Sequence, residues 1–187
     1  MYQQLNLDPD SQDSDVSSVK KPLKPQTLSS WTGDISEALF DDFDQVLQTL
    51  CETFSASPFM QHLGMQFNVV NGEIQGLIDM TPDLIGNTHF RILHGGATAA
   101  VLDSIGGIAA MAEIYRRREG LIEEQRKKVA RLATTDMRVD YLSPGRGEYF
   151  IATAEVMRLG RKGCTMRMDL HNNEGKAIAI ATAVYAY

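Results

Sequence analysis

The sequence predicts an α+β fold: one curled antiparallel sheet wrapped around one central apolar helix, with an extra amphipathic helix ahead of it. Three observations carry this reading. Residues 97–111 are almost all small or apolar, and a helix that is apolar all round has to be covered on every side. The chain beyond residue 132 reads as a series of long strand-like runs separated by turn residues. One helix and one sheet bury their apolar surfaces most simply against each other.

With 187 residues the chain is long enough for one domain with a substantial core. Its 43% hydrophobic and 22% charged residues are those of a soluble globular protein. A net charge of −6 argues against general nucleic-acid binding, and it requires that an anionic ligand find a local basic patch. Cys51 and Cys164 have neither paired nor metal-ligand spacing and fit a reducing compartment, so a cytoplasmic location is expected. The first residues lack the apolar stretch of a secretion signal. The apolar run is too short and too interrupted by glycine to suggest a membrane span. No His, Cys or carboxylate cluster has metal-ligand spacing, and no glycine-rich phosphate loop or internal repeat is present, so no metal or bound cofactor is expected.

Taken in order, residues 1–30 are polar, rich in Ser, Asp, Lys and Pro, and read as a disordered or loosely docked tail. Leu28 and Trp31 are candidates to anchor its end, and residues 31–187 read as a single domain. Asp34 with Glu37 three residues on has the pattern of a capping box. Leu39, Phe43, Val46, Leu47 and Leu50 then recur at helical spacing, up to a stop at Pro58. Residues 65–70 and 73–80 are strand-like, and Asn71-Gly72 between them is a strong hairpin signal because both residues tolerate positive φ. Residues 81–93 show no period and read as a loop. After the apolar helix, a charged stretch from Arg116 to Arg131 reads as a solvated helix face and connector. Strands are expected at 133–142, 148–159, 163–171 and 176–187, with turns at Pro144-Gly145, 160–163 and 172–175.

The chemistry lies in what does not suit a covered helix. His94-Gly95-Gly96 opens it, where main-chain N–H groups lack intrahelical acceptors and glycine leaves room for an oxygen to approach. Asp103 then sits alone in an apolar environment, where an unpaired charge is costly. A donor nest plus a covered carboxylate is a minimum kit for hydrolysing an acyl derivative. Gly106-Gly107 reads as close packing of helix on sheet.

His-Gly-Gly followed by Leu102-Asp103, with the aspartate nine residues after His94, resembles the hotdog-fold acyl-CoA thioesterases of the PaaI type. Residues 58–64 are similar to that family's entry to its first strand, and residues 134–145 to its third. The resemblance runs roughly from Pro58 to Tyr187. It implies that Gly95 N–H polarises a thioester carbonyl, that Gly96 shapes the turn, and that His94 orients the loop. It also implies that Asp103 is the catalytic carboxylate, as base or nucleophile, with Thr134 helping to hold it or a water. Arg158, Arg161 and Lys162 become candidates to meet CoA phosphates, CoA being part of the substrate and not a cofactor. The family commonly has Asn six residues before the histidine and Gly three before; here Thr88 and Arg91 stand there. A one-residue insertion would restore Asn87 to the family position.

Gly95 and Asp103 are eight residues apart, roughly 12 Å along a helix. One thioester cannot touch both within one chain, so a two-fold homodimer with shared sites is expected, alone or paired into a tetramer. The competing readings are a non-catalytic acyl-CoA-binding or regulatory module, a hydratase or dehydratase, and an interaction protein using the Arg116–Arg131 stretch. A hydratase would place a His beside an acid, which this sequence does not do.

Overall fold

The computed structural model describes residues 42–117 and 120–187. Asp42 caps helix α1 (Phe43–Ser55), its carboxylate accepting from the N–H groups of Asp44 and Gln45 at 3.1 and 3.4 Å. The capping box expected at Asp34 and Glu37, together with Leu39, the 1–30 tail, Leu28 and Trp31, lies outside the described residues. Val46, Leu47, Leu50 and Cys51 form the buried face of α1. Residues 58–64 lead into the first strand as expected, and do so through a short helix. Pro58 opens a short helix, α2 (Pro58–Leu63), because its fixed φ and missing N–H suit a first helical position. Gly64, at φ 73°, closes that helix.

Strands β1 (Met65–Val70) and β2 (Glu73–Asp79) form the expected hairpin, and Asn71 and Gly72 turn it at φ 53° and 76°. Residues 81–93 are not the featureless loop expected. They hold a 3-10 turn at Pro82–Leu84 and a small hairpin of β3 (Ile85–Asn87) and β4 (Ile92–Leu93). Helix α3 (Gly95–Arg117) follows, and the charged stretch continues as a separate helix, α4 (Ile122–Arg131). Four strands complete the chain: β5 (Ala133–Tyr141), β6 (Tyr149–Leu159), β7 (Gly163–Asn172) and β8 (Ala177–Ala186). The six-stranded sheet has the order β1-β2-β6-β7-β8-β5, antiparallel throughout, and β5 is an edge strand.

The sheet wraps α3, and the fit explains the sequence. Val101, Leu102, Ile105 and Ile108 are fully buried on the helix. Phe150, Met166, Met168, Leu170 and a run of alanines on β8 meet them from the sheet. At Gly106 an added Cβ would collide with the Tyr185 hydroxyl and lie 2.9 Å from Met168 Sδ, so this crossing requires glycine. At 23 residues α3 is long and apolar enough to cross a membrane by length and composition, but here it is the central core helix. Burial pushes the Cys51 and Cys164 thiols up to about 11, which keeps them protonated at neutral pH.

The charges of the Arg116–Arg131 stretch lie mostly on exposed helix faces. Arg116 pairs with Glu73 and Glu113 at 3.3 and 3.2 Å, and Arg126 with Glu123 at 3.6 Å. Pairs this exposed contribute little each, on the order of 0–1 kcal/mol.

Candidate active site

The first turn of α3 is built by His94. Its carbonyl accepts the Thr98 N–H at 3.0 Å, and its ring Nδ1 accepts the Gly96 N–H at 2.8 Å. The imidazole therefore takes the place of a Ser or Asp cap. An accepting Nδ1 leaves the ring proton on Nε2. Gly96 N–H is thus consumed, and Gly95 N–H remains without a partner among the described residues. The Tyr141 hydroxyl donates to the Gly95 carbonyl at 2.9 Å, tying the helix start to the end of β5. Beside this turn lies a pocket of 360 Å³ walled by Ile92, Leu93, Thr98, Tyr141, Leu142, Pro144 and Ile178.

Asn87 sits on the β3–β4 hairpin. Its Oδ1 accepts the N–H groups of His89 and Phe90, both at 3.0 Å, and so holds that turn together. Gly86, next to it, packs so closely on His94 that a Cβ would come within 2.7 Å of the histidine Cα. The hairpin thereby supports the histidine, while the Asn87 carbonyl oxygen is spent locally.

Asp103 is half-buried in the single chain, less covered than the sequence suggested. Its Oδ1 accepts from Thr134 Oγ1 at 2.8 Å, so the structure brings these two predicted residues together. A β-bulge makes this contact. Thr134 pairs with Tyr185 and Asp136 with Val184, leaving Thr135 as the extra residue. Without the bulge, Thr134 would share the outward face of Asp136; with it, Thr134 turns inward beside Tyr185. The Tyr185 hydroxyl reaches the Asp103 carbonyl at 3.0 Å and Oδ1 at 3.4 Å. Sequence reasoning missed both Tyr141 and Tyr185.

The three basic candidates also converge. Arg158, Arg161 and Lys162 line a 360 Å³ depression with Thr165 and Val184 at the β6–β7 turn. Arg158 pairs with Thr165, which alternates with inward-facing Cys164, so this depression lies on the outer face of the sheet. Within one chain it is therefore across the sheet from Asp103. Thr134, Tyr185, Cys164 and Leu159 nevertheless form one register row, so the basic turn and the carboxylate share one end of the sheet. Three strand spacings put Leu159 roughly 14 Å from Thr134. Among the described residues no group of three or more His, Cys, Asp or Glu side chains could hold a metal ion.

Comparison with known proteins places this architecture. A family profile described as Thioesterase superfamily matches residues 90–179, which include the His94 turn, Asp103 and Thr134. The medium/long-chain acyl-CoA thioesterase YigI of Escherichia coli K12 is 39% identical over 145 residues, covering 76% of this chain and 94% of that protein. The chain belongs to the thioesterase superfamily. YigI of Salmonella typhimurium LT2 is 37% identical over the same length. A solved thioesterase-superfamily protein from Shewanella oneidensis is 42% identical, covers 77% of this chain and 96% of its own, and superposes with a TM-score of 0.72. The hotdog fold and the enzyme class, thioester hydrolase, agree with the resemblance carried by the His-Gly-Gly…Asp motif.

Proposed function

We propose that this protein hydrolyses acyl-CoA thioesters of medium to long chain length to the free acid and CoA. The observation that carries the proposal is a carboxylate on the central helix, held by Thr134 and Tyr185, on a helix whose Gly95 N–H has no partner among the described residues. This geometry stands in a chain 39% identical to a medium/long-chain acyl-CoA thioesterase.

In this reading Gly95 N–H donates to the thioester carbonyl and stabilises the oxyanion as charge develops. Asp103 supplies the oxygen nucleophile, either as a general base on water or by direct attack followed by hydrolysis of the mixed anhydride. In the first route the CoA thiolate leaves and takes up the proton that Asp103 removed from water. In the second the thiolate leaves as the anhydride forms, and the proton comes from the water that hydrolyses the anhydride and regenerates the carboxylate. His94 and Gly96 hold the turn, and Asn87 holds the hairpin behind it. The apolar pocket beside Gly95 receives the start of the acyl chain. Neither a metal nor a bound cofactor takes part.

The separation of Gly95 and Asp103, roughly 12 Å by helix rise, calls for a second subunit. Two features favour one. The edge strand β5 carries Thr134, and Tyr141 and Leu142 at its end are 57% and 53% exposed beside the Gly95 turn. A two-fold partner seated there would bring each Gly95 to the other subunit's Asp103 and cover these side chains.

The direct test is thiol release across acyl-CoAs from acetyl to palmitoyl. Turnover that rises with chain length is expected, and binding without thiol release would favour the non-catalytic reading. In the same assay Arg161→Ala should raise KM for CoA esters several-fold more than for esters of pantetheine, because only CoA carries the nucleotide phosphates that Arg binds. Equal effects on both substrates would assign the basic turn a structural role.

A further inference from the structure

Tyr185 is remote from Asp103 in sequence, yet its hydroxyl touches Asp103 twice. One phenolic proton is shared between the main-chain carbonyl at 3.0 Å and the carboxylate Oδ1 at 3.4 Å. The ring reaches this position because the helix has no side chain at Gly106, where any Cβ would strike the hydroxyl. The other inward residues of β8 approaching this point are Ala179, Ala181 and Ala183, so the one large side chain of the row stands where the helix has its gap. Gly106 and Tyr185 thus form a matched notch and peg under the carboxylate.

We infer that the Tyr185 hydroxyl is a positioning group for Asp103. It pins the main chain and Oδ1 together, fixes the side-chain rotamer, and leaves Oδ2 as the oxygen presented to water or substrate. Thr134, the register neighbour of Tyr185 on β5, also donates to Oδ1, at 2.8 Å. Among the described residues no donor occupies Oδ2. A carboxylate anchored through one oxygen keeps the other aimed, and misplacement of a reacting group by about 1 Å can cost a hundredfold in rate. Burial first, and then the Asp103 charge, push the Tyr185 hydroxyl far above its usual range, so it stays a donor at any working pH. This inference rests on the reading of Asp103 as the catalytic carboxylate.

The experiment is a double-mutant cycle of Tyr185→Phe and Asp103→Asn, scored by kcat, KM and melting temperature. Tyr185→Phe keeps the ring in the Gly106 notch and removes only the hydroxyl. Its kcat should fall about 10- to 100-fold with KM within about twofold, while the melting temperature stays within a few degrees. In the Asp103→Asn background the same change should cost nothing further, because the group it positions has gone. An equal fold-loss in both backgrounds, a wild-type kcat in Tyr185→Phe, or a Tyr185→Phe chain that does not fold would each overturn the positioning role. These outcomes leave the thioesterase reading standing. An Asp103→Asn enzyme with normal turnover would instead overturn the catalytic reading, and the positioning role with it.

Discussion

Asp103→Asn is expected to keep the fold and to lose roughly 10²–10⁴ in kcat, the scale for removing a general base. The amide has nearly the shape of the carboxylate, and its oxygen can still accept from Thr134 and Tyr185, so both donors remain satisfied. The half-buried position and the well-packed neighbours Leu102 and Ile105 are left untouched. What disappears is the negative charge and with it the capacity to take a proton from water or to attack a carbonyl. Activity on a good acyl-CoA substrate, measured beside a thermal melt, decides the matter. Native-like melting with near-normal turnover would reject Asp103 as the reacting group and shift attention to the helix start alone.

The parts of this site that the sequence made legible are those with local physical signatures. An apolar run with one carboxylate marks both the central helix and its anomaly. Asn71-Gly72 marks a hairpin because few other residues accept positive φ, and both residues adopt it. The parts that stayed hidden depend on long-range register. Thr134 faces Asp103 only through the bulge at Thr135, and a one-residue slip in pairing turns a strand residue to the opposite face. The link between them came from resemblance and not from spacing. Tyr185 reads as one more member of an alternating strand. Its signal was present but split between two distant segments: a large aromatic ending a row of inward alanines, and a glycine in the middle of a helix. Arg158 shows the converse failure. Closeness to Arg161 and Lys162 in sequence grouped the three correctly, while strand alternation, which puts Arg158 on the outer face, separates the group from the carboxylate of the same chain. The short helix at Pro58 stayed hidden because proline signals both a stop for the preceding helix and a start for the next.

Subunit mixing should restore activity to two dead variants. One chain carries Asp103→Ala and the other Gly95→Leu; each is first shown to fold, to dimerise and to be inactive alone. A Cβ at Gly95 would sit 3.5 Å from the Tyr141 ring, an ordinary contact, so the leucine can be accommodated locally while its side chain obstructs the carbonyl site. In a mixed two-fold dimer with shared sites, one site combines the intact Gly95 of the first chain with the intact Asp103 of the second. The other site carries both defects. Random pairing makes half of the dimers mixed, so co-expression in equal amounts should return roughly a quarter of wild-type activity. The alternative arrangement, in which a single chain supplies both groups, leaves one defect in every site and returns nothing. The helix rise of about 1.5 Å per residue is what makes the two cases unequal, since eight residues place the groups too far apart for one thioester. A stable mixed dimer with no recovered turnover would reject the shared site while leaving the hydrolysis itself intact. It would then require that the substrate carbonyl find its oxyanion donor nearer to Asp103 than the His94 turn.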